Sequence, residues 1–165
     1  MSTTRGVLYV HSTPSALCPH IEWAVGGVFG VPVRLDWAPQ PVERPGYRAE
    51  YAWAGAAGSA AALATALQGW RRIRFEVTEE ATSTSEAERY CYTPNLGVFR
   101  ATTGPHGDIV VSEDRIRHAM RIASLGGRDL TASLHDLLGT AWDAELEPFR
   151  HAGDGAPVRW LHKVV

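Results

Sequence analysis

The densest group of reactive side chains is His11-Ser12-Thr13-Pro14-Ser15, followed at once by Cys18-Pro19-His20. Hydroxyls, an imidazole and the free N–H groups of a helix start together suit a bound phosphate or carboxylate, so His11, Ser12, Thr13 and Ser15 form a candidate anion site. The simpler role for Ser12 or Thr13 is to cap the helix that follows. Cys18 at such a start would have its thiolate favoured by the helix dipole, making it a candidate reactive thiol with His20 as the nearest base. Two positions apart, however, Cys18 and His20 do not face each other on a helix. No orienting carboxylate or oxyanion hole accompanies them, and no catalytic residue follows from the pattern. His11, Cys18, His20 and Cys91 also lack the paired short spacing of structural zinc sites, so neither metal nor cofactor is expected.

Arginines at 71, 72 and 74, and at 115, 117, 121 and 128, raise nucleic-acid binding. Arg72 and Arg74 alternate with strand core positions beside Glu76, while Glu113 and Arg117 are spaced as an i,i+4 pair on a solvated helix face. Nothing basic concentrates on the helix after Gly126-Gly127, so no nucleic-acid partner is expected.

The most informative spacing is apolar. At about 100° per residue Ile21, Val25, Val28 and Phe29 share one helix face, with Trp23, Gly26 and Gly27 on the opposite side. An interior glycine costs about 1 kcal/mol relative to alanine. Two glycines beside an outward tryptophan read as a shallow groove for another chain, so Trp23, Gly26 and Gly27 are the candidate partner-binding residues. The competing arrangement has the C-terminal helices folded over this face, with Trp23 in the core.

The elements that must position these residues follow from periodicity. Val7–His11 reads as a central strand, apolar on both faces, and Pro19–Phe29 as a helix stopped by Gly30 and Pro32. Val33, Leu35 and Trp37 alternate with Arg34 and Asp36 as a second strand; 39–46 is a loop; Tyr47–Trp53 is a third strand. A helix over about 56–68 and a strand built on Ile73, Phe75 and Val77 complete a strand-helix-strand-strand-helix-strand order. That order predicts an α+β, ferredoxin-like (split βαβ) antiparallel sheet with its helices on one face. After a Thr/Ser/Glu-rich loop over 79–88, Arg89–Thr93 and Val98–Thr102 flank Pro94-Asn95-Leu96-Gly97 as a β-hairpin, and 108–111 adds a short strand. Two C-terminal helices follow: one capped by Ser112 with Ile116, Ala119, Met120 and Ala123 on its apolar face, the other opened by Asp129 and running as far as Pro148. Gly153-Asp154-Gly155 breaks the chain, and Val158–Val164 reads as a last strand or tail. The expected organisation is a single domain over 1–165, with a sheet core over 1–111 and a helical segment over 112–165 packed on it.

Composition sets the outer bounds. The chain has 165 residues, 45% hydrophobic and 21% charged, with 16 basic against 18 acidic side chains and a net charge of −2. A core of this size needs no disulfide, and near-neutrality removes the electrostatic footprint of a general nucleic-acid or membrane-surface binder. Fifteen arginines against the single Lys163 reflect coding bias more than phosphate recognition. Tyr51–Trp70 carries no charge for twenty positions, but glycine, Ser59, Thr65 and Gln68 dilute it below a membrane span. No secretory signal is read at the start, and both thiols are expected reduced in a cytoplasmic protein.

Val7-Leu8-Tyr9-Val10-His11-Ser12, Leu17-Cys18-Pro19-His20, Glu22-Trp23-Ala24-Val25, Arg74-Phe75-Glu76-Val77-Thr78 and His106-Gly107-Asp108-Ile109 resemble an uncharacterised actinobacterial domain-of-unknown-function family. The similarity covers nearly the whole chain. It implies an actinobacterial cytoplasmic protein and supplies no catalytic residues. The resemblance further implies a gene often encoded beside type II fatty-acid-synthesis genes, which points to acyl-carrier or acyl-CoA enzymes as partners. The function expected is a non-catalytic accessory or regulatory protein that binds another protein. A small anionic ligand sensor and a Cys/His-dependent enzyme are the alternatives.

Overall fold

The computed structural model describes residues 2–151. Its strands are β1 Thr3–Thr13, β2 Ala38–Pro39, β3 Tyr47–Ala56, β4 Arg74–Glu79, β5 Ala87–Thr93, β6 Gly97–Thr103 and β7 Ile109–Val110. The helices are α1 Cys18–Phe29, α2 Ser59–Leu67, α3 Glu113–Ser124, α4 Leu130–Leu138 and α5 Thr140–Arg150. The strands form one seven-stranded sheet in the order β2-β3-β1-β4-β5-β6-β7, every pair antiparallel.

Alternation along each strand sends residues to two different layers. Leu8 and Val10 of β1, Phe75 and Val77 of β4, and Tyr90 and Tyr92 of β5 pack against Ile21 and Val25 of α1 and Leu63 and Leu67 of α2. Ile21, Leu63 and Leu67 are fully buried, each contributing roughly 1.5–3 kcal/mol. α2 starts where β4 supplies its cap: the Glu79 carboxylate accepts from Gly58 N–H and Ala60 N–H, both at 2.9 Å, placing a negative charge on the helix's positive end.

The other residues of the strands meet α5. Cys91, Phe99 and Ala101 bury Leu146, and Trp142 donates its indole N–H to Gly97 O at 2.9 Å. Helices therefore cover both faces of the sheet, α1 and α2 on one and α5 of the C-terminal segment on the other. The C-terminal region also holds three helices where two were expected. Gly139, at φ 68°, ends α4 in the left-handed conformation and starts α5, and a β-carbon there would come within 2.5 Å of the Phe99 ring.

The expected strand at Val33–Trp37 is absent, and only Ala38–Pro39 pairs with β3. Glu22 of α1 explains the difference. Its carboxylate accepts from Leu35 N–H at 2.9 Å and from the Trp37 indole at 3.1 Å, so this segment satisfies its donors on the helix instead of a ladder. The β5–β6 hairpin follows the sequence reading: Thr93 pairs with Gly97, whose φ of 77° makes the turn. Asp129 caps α4 by accepting from Ala132 N–H, whereas the Ser112 side chain makes no capping bond to α3. The chain break at 153–155 and the strand or tail at 158–164 lie outside the described residues.

Candidate functional site

The sequence-selected anion site sits on an irregularity in β1. Its register shifts between Val10 and Ser12 against β4 and between Val10 and Thr13 against β3. At this shift consecutive residues find separate carboxylates, Glu76 of β4 and Glu43 of the loop before β3. His11 bonds Glu76 at 2.7 Å, while Ser12 donates to Glu43 at 2.5 Å. Arg74 reaches the other Glu43 oxygen at 2.7 Å and stacks over the Phe149 ring at 4.7 Å. The protein's own carboxylate thus occupies the position where an external anion would meet Ser12. Buried Thr13 donates to Pro14 O, Ser15 is exposed, and neither Ser12 nor Thr13 caps α1. The four residues do not converge on one point.

Cys18 does open α1. Burial, and then the Glu22 charge, push its thiol up from the ordinary range. His20 is exposed and turned towards Trp70, with ring centroids 6.3 Å apart.

Sequence reasoning missed the principal polar cluster. Glu76 is buried between β4 and α5, where Arg150 donates to it through Nε at 3.0 Å and Nη2 at 2.5 Å. His11 lies at 2.7 Å and the Cys91 thiol at 3.2 Å. Arg150 also donates to Asp143 at 2.8 Å and Glu147 at 3.1 Å. Burial alone would raise the Glu76 carboxyl; the His11 bond and charge, followed by Arg150, outweigh it and hold the group at about 2. Burial and the neighbouring Glu76 raise the Cys91 thiol well above its ordinary value. His11, Glu76 and Cys91 have almost no solvent exposure. Through Arg150 the cluster fixes α5 to the sheet. Among the described residues no three His, Cys, Asp or Glu side chains group as metal ligands.

The surface left open is the outer side of α1 and α2. Trp23 is 78% exposed, and among the described residues none of α3, α4 and α5 covers it. Gly27, one turn on, has open space around its α-carbon, and Val31 beyond it is exposed. Gly26 has a different explanation from the groove expected of it. A β-carbon there would lie 2.8 Å from Val31 O, and its carbonyl accepts from both Gly30 and Val31 as the helix ends. The two helices contain no lysine, arginine or aspartate, and their one glutamate, Glu22, is turned onto Leu35 and Trp37. α2, which packs against α1, leaves Ala62 and Thr65 exposed. The result is a small-residue surface with one projecting indole and the exposed imidazole of His20.

On the opposite face a cleft of about 940 Å³ is floored by Val7, Ala52 and Thr78. Arg5 and Glu80 on its rim pair with each other at 2.8 Å. No helix among the described residues is long and apolar enough to cross a membrane.

Comparison with known proteins gives a family and no activity. The family model described as "Protein of unknown function (DUF3145)" matches residues 7–163. No curated protein and no solved structure matches the chain.

Proposed function

The chain belongs to the DUF3145 family, whose description names no reaction, and we propose that it is a non-catalytic accessory or regulatory protein that binds another protein through the outer surface of α1 and α2. The observation that carries this reading is Trp23, left 78% exposed on a helix layer without outward charge. Interface centres are depleted in charge and enriched in tryptophan, and a monomer seldom leaves such a surface bare. Gly27, Ala62 and Thr65 let a partner approach closely, and Trp23 is the anchor.

The first six elements support the split βαβ, ferredoxin-like reading: strands ordered 2-3-1-4, α1 after the first strand and α2 after the third. In this reading the second strand is cut to two residues by Glu22. The ligand-sensor and enzyme alternatives lose support where Glu43 fills the Ser12 position and where burial and a neighbouring carboxylate push both thiols up from the ordinary range. Resemblance to an actinobacterial family encoded beside fatty-acid-synthesis genes directs the first partner trials to cytoplasmic acyl-carrier and acyl-CoA enzymes.

A photo-crosslinking side chain placed at Ala62 should give one discrete adduct with such an enzyme, and the same group at exposed Glu50 should give none. Trp23→Arg should abolish the adduct while leaving the melting temperature unchanged. Truncating an interface tryptophan costs about 2 kcal/mol or more, some 30-fold in Kd. Equal crosslinking from both positions, or full retention in Trp23→Arg, rejects the reading.

A further inference from the structure

Helix α3 carries an apolar stripe that no described residue covers. Only Ala119 is buried; Ile116 is exposed, Met120 is 54% exposed and Leu125, just past the helix, is more open still. The helix packs chiefly on α4, from the side that bears Ala119 and Ile122. The stripe of Ile116, Met120 and Ala123 lies on a neighbouring arc of the helix.

One flank of that stripe is built from exposed charges four residues apart, Glu113, Arg117 and Arg121, with the acid first and the bases after it. In a parallel copy this flank would have to meet the partner's other flank, the Ala119 and Ile122 side that already faces α4. In an antiparallel helix pair each flank meets its own counterpart running the opposite way, so Glu113 of each chain reaches Arg121 of the other and the helix dipoles oppose. Arg117 falls near the axis, where its 2.8 Å bond to Glu113 in its own chain offsets its charge. We propose that α3 is the seam of a symmetric antiparallel dimer, with Ile116 and Met120 at its centre and Glu113 and Arg121 exchanged across it.

Twelve residues make a seam of about 18 Å, short for the roughly 800 Å² per partner of a standard interface. The dimer is accordingly weak and concentration-dependent. It is separate from the α1–α2 surface and independent of what binds there.

Sedimentation equilibrium up to about 0.5 mM reads it. The native chain should shift from monomer to dimer mass, and Met120→Glu should remain monomeric. Glu113→Arg makes the flank wholly basic; Arg117→Glu with Arg121→Glu makes it wholly acidic. Each of these exposed-site variants should be monomeric alone, and their equimolar mixture should recover dimer mass at or below the native concentration range. A native chain that stays monomeric throughout overturns the proposal. So does a Met120→Glu chain that still dimerises, or a mixture that does not associate.

Discussion

Replacing Glu76 with glutamine tests the strut between sheet and helix. The substitution keeps side-chain shape and removes one buried charge. Glu76 is held at about 2 against an ordinary 4.5, a difference of about 2.5 pH units, which at 1.36 kcal/mol per unit is about 3 kcal/mol of folding stability. The folded value is the lower one, so this stability is fully present above about pH 4.5 and is lost as the pH falls towards about 2. At neutral pH the variant strands Arg150, which is only 2% exposed, without its closest counter-ion. Removing one partner of a buried pair costs about 3–5 kcal/mol. Asp143 and Glu147 still hold Arg150, so the lower end applies. Urea unfolding of both proteins at steps from pH 2 to 7 measures the two effects together. The native chain should lose more stability between pH 4.5 and 2 than the variant does, by about 3 kcal/mol, and the curves should converge at the acid end. Parallel curves, or a neutral-pH loss below about 1 kcal/mol, would show that the charge of Glu76 does not hold α5.

Two further outcomes follow from local geometry. Gly27→Ala enters open space and should stabilise α1 by up to about 1 kcal/mol. Gly26→Ala drives a β-carbon to 2.8 Å from Val31 O and should destabilise by roughly 1–3 kcal/mol. Equal effects in thermal melts would remove the distinction drawn between the two glycines. For the thiols, Cys18 should react with iodoacetamide at pH 7 more slowly than a free thiol, because burial and Glu22 favour its protonated form. Cys91 should label only on unfolding. Rapid labelling of either native thiol, read by mass spectrometry, would refute the assignment.

Local periodicity made most elements legible. Ile21, Val25, Val28 and Phe29 share one helix face in any surroundings, and Gly97 makes its turn where the hairpin needs a positive φ. The errors fall where a distant group overrules the pattern. Val33–Trp37 alternates as a strand should, yet Glu22 takes its donors. Glu76 alternates with Phe75 and Val77, so it reads as solvent-facing. Its partners His11, Cys91 and Arg150 stand 65, 15 and 74 residues away. One clue was present: β1 is apolar on both faces, which requires cover on the second face and therefore on Glu76 as well. Nothing local said that α5 provides it.

The same buried pair bears on the site. That Trp23 points away from α1's apolar face is a local property. Whether it meets solvent depends on where the C-terminal helices go. An apolar α5 would bind a sheet as firmly, since buried ion pairs seldom exceed well-packed hydrophobic residues in net stability. It would also have the bare outer surface of α1 and α2 as a rival docking place. Arg150 removes that choice: uncharged α2 and the outer side of α1 offer its guanidinium no carboxylate, and the second sheet face offers Glu76. Placing α5 there leaves Trp23 exposed. In Glu76→Gln the guanidinium stays charged and still finds no carboxylate on the outer side of α1 and α2, so the variant loses stability while its folded form keeps α5 on the second sheet face. The outcome to measure is an Ala62 crosslink retained in the folded variant at neutral pH; its loss would show that Arg150 does not direct α5.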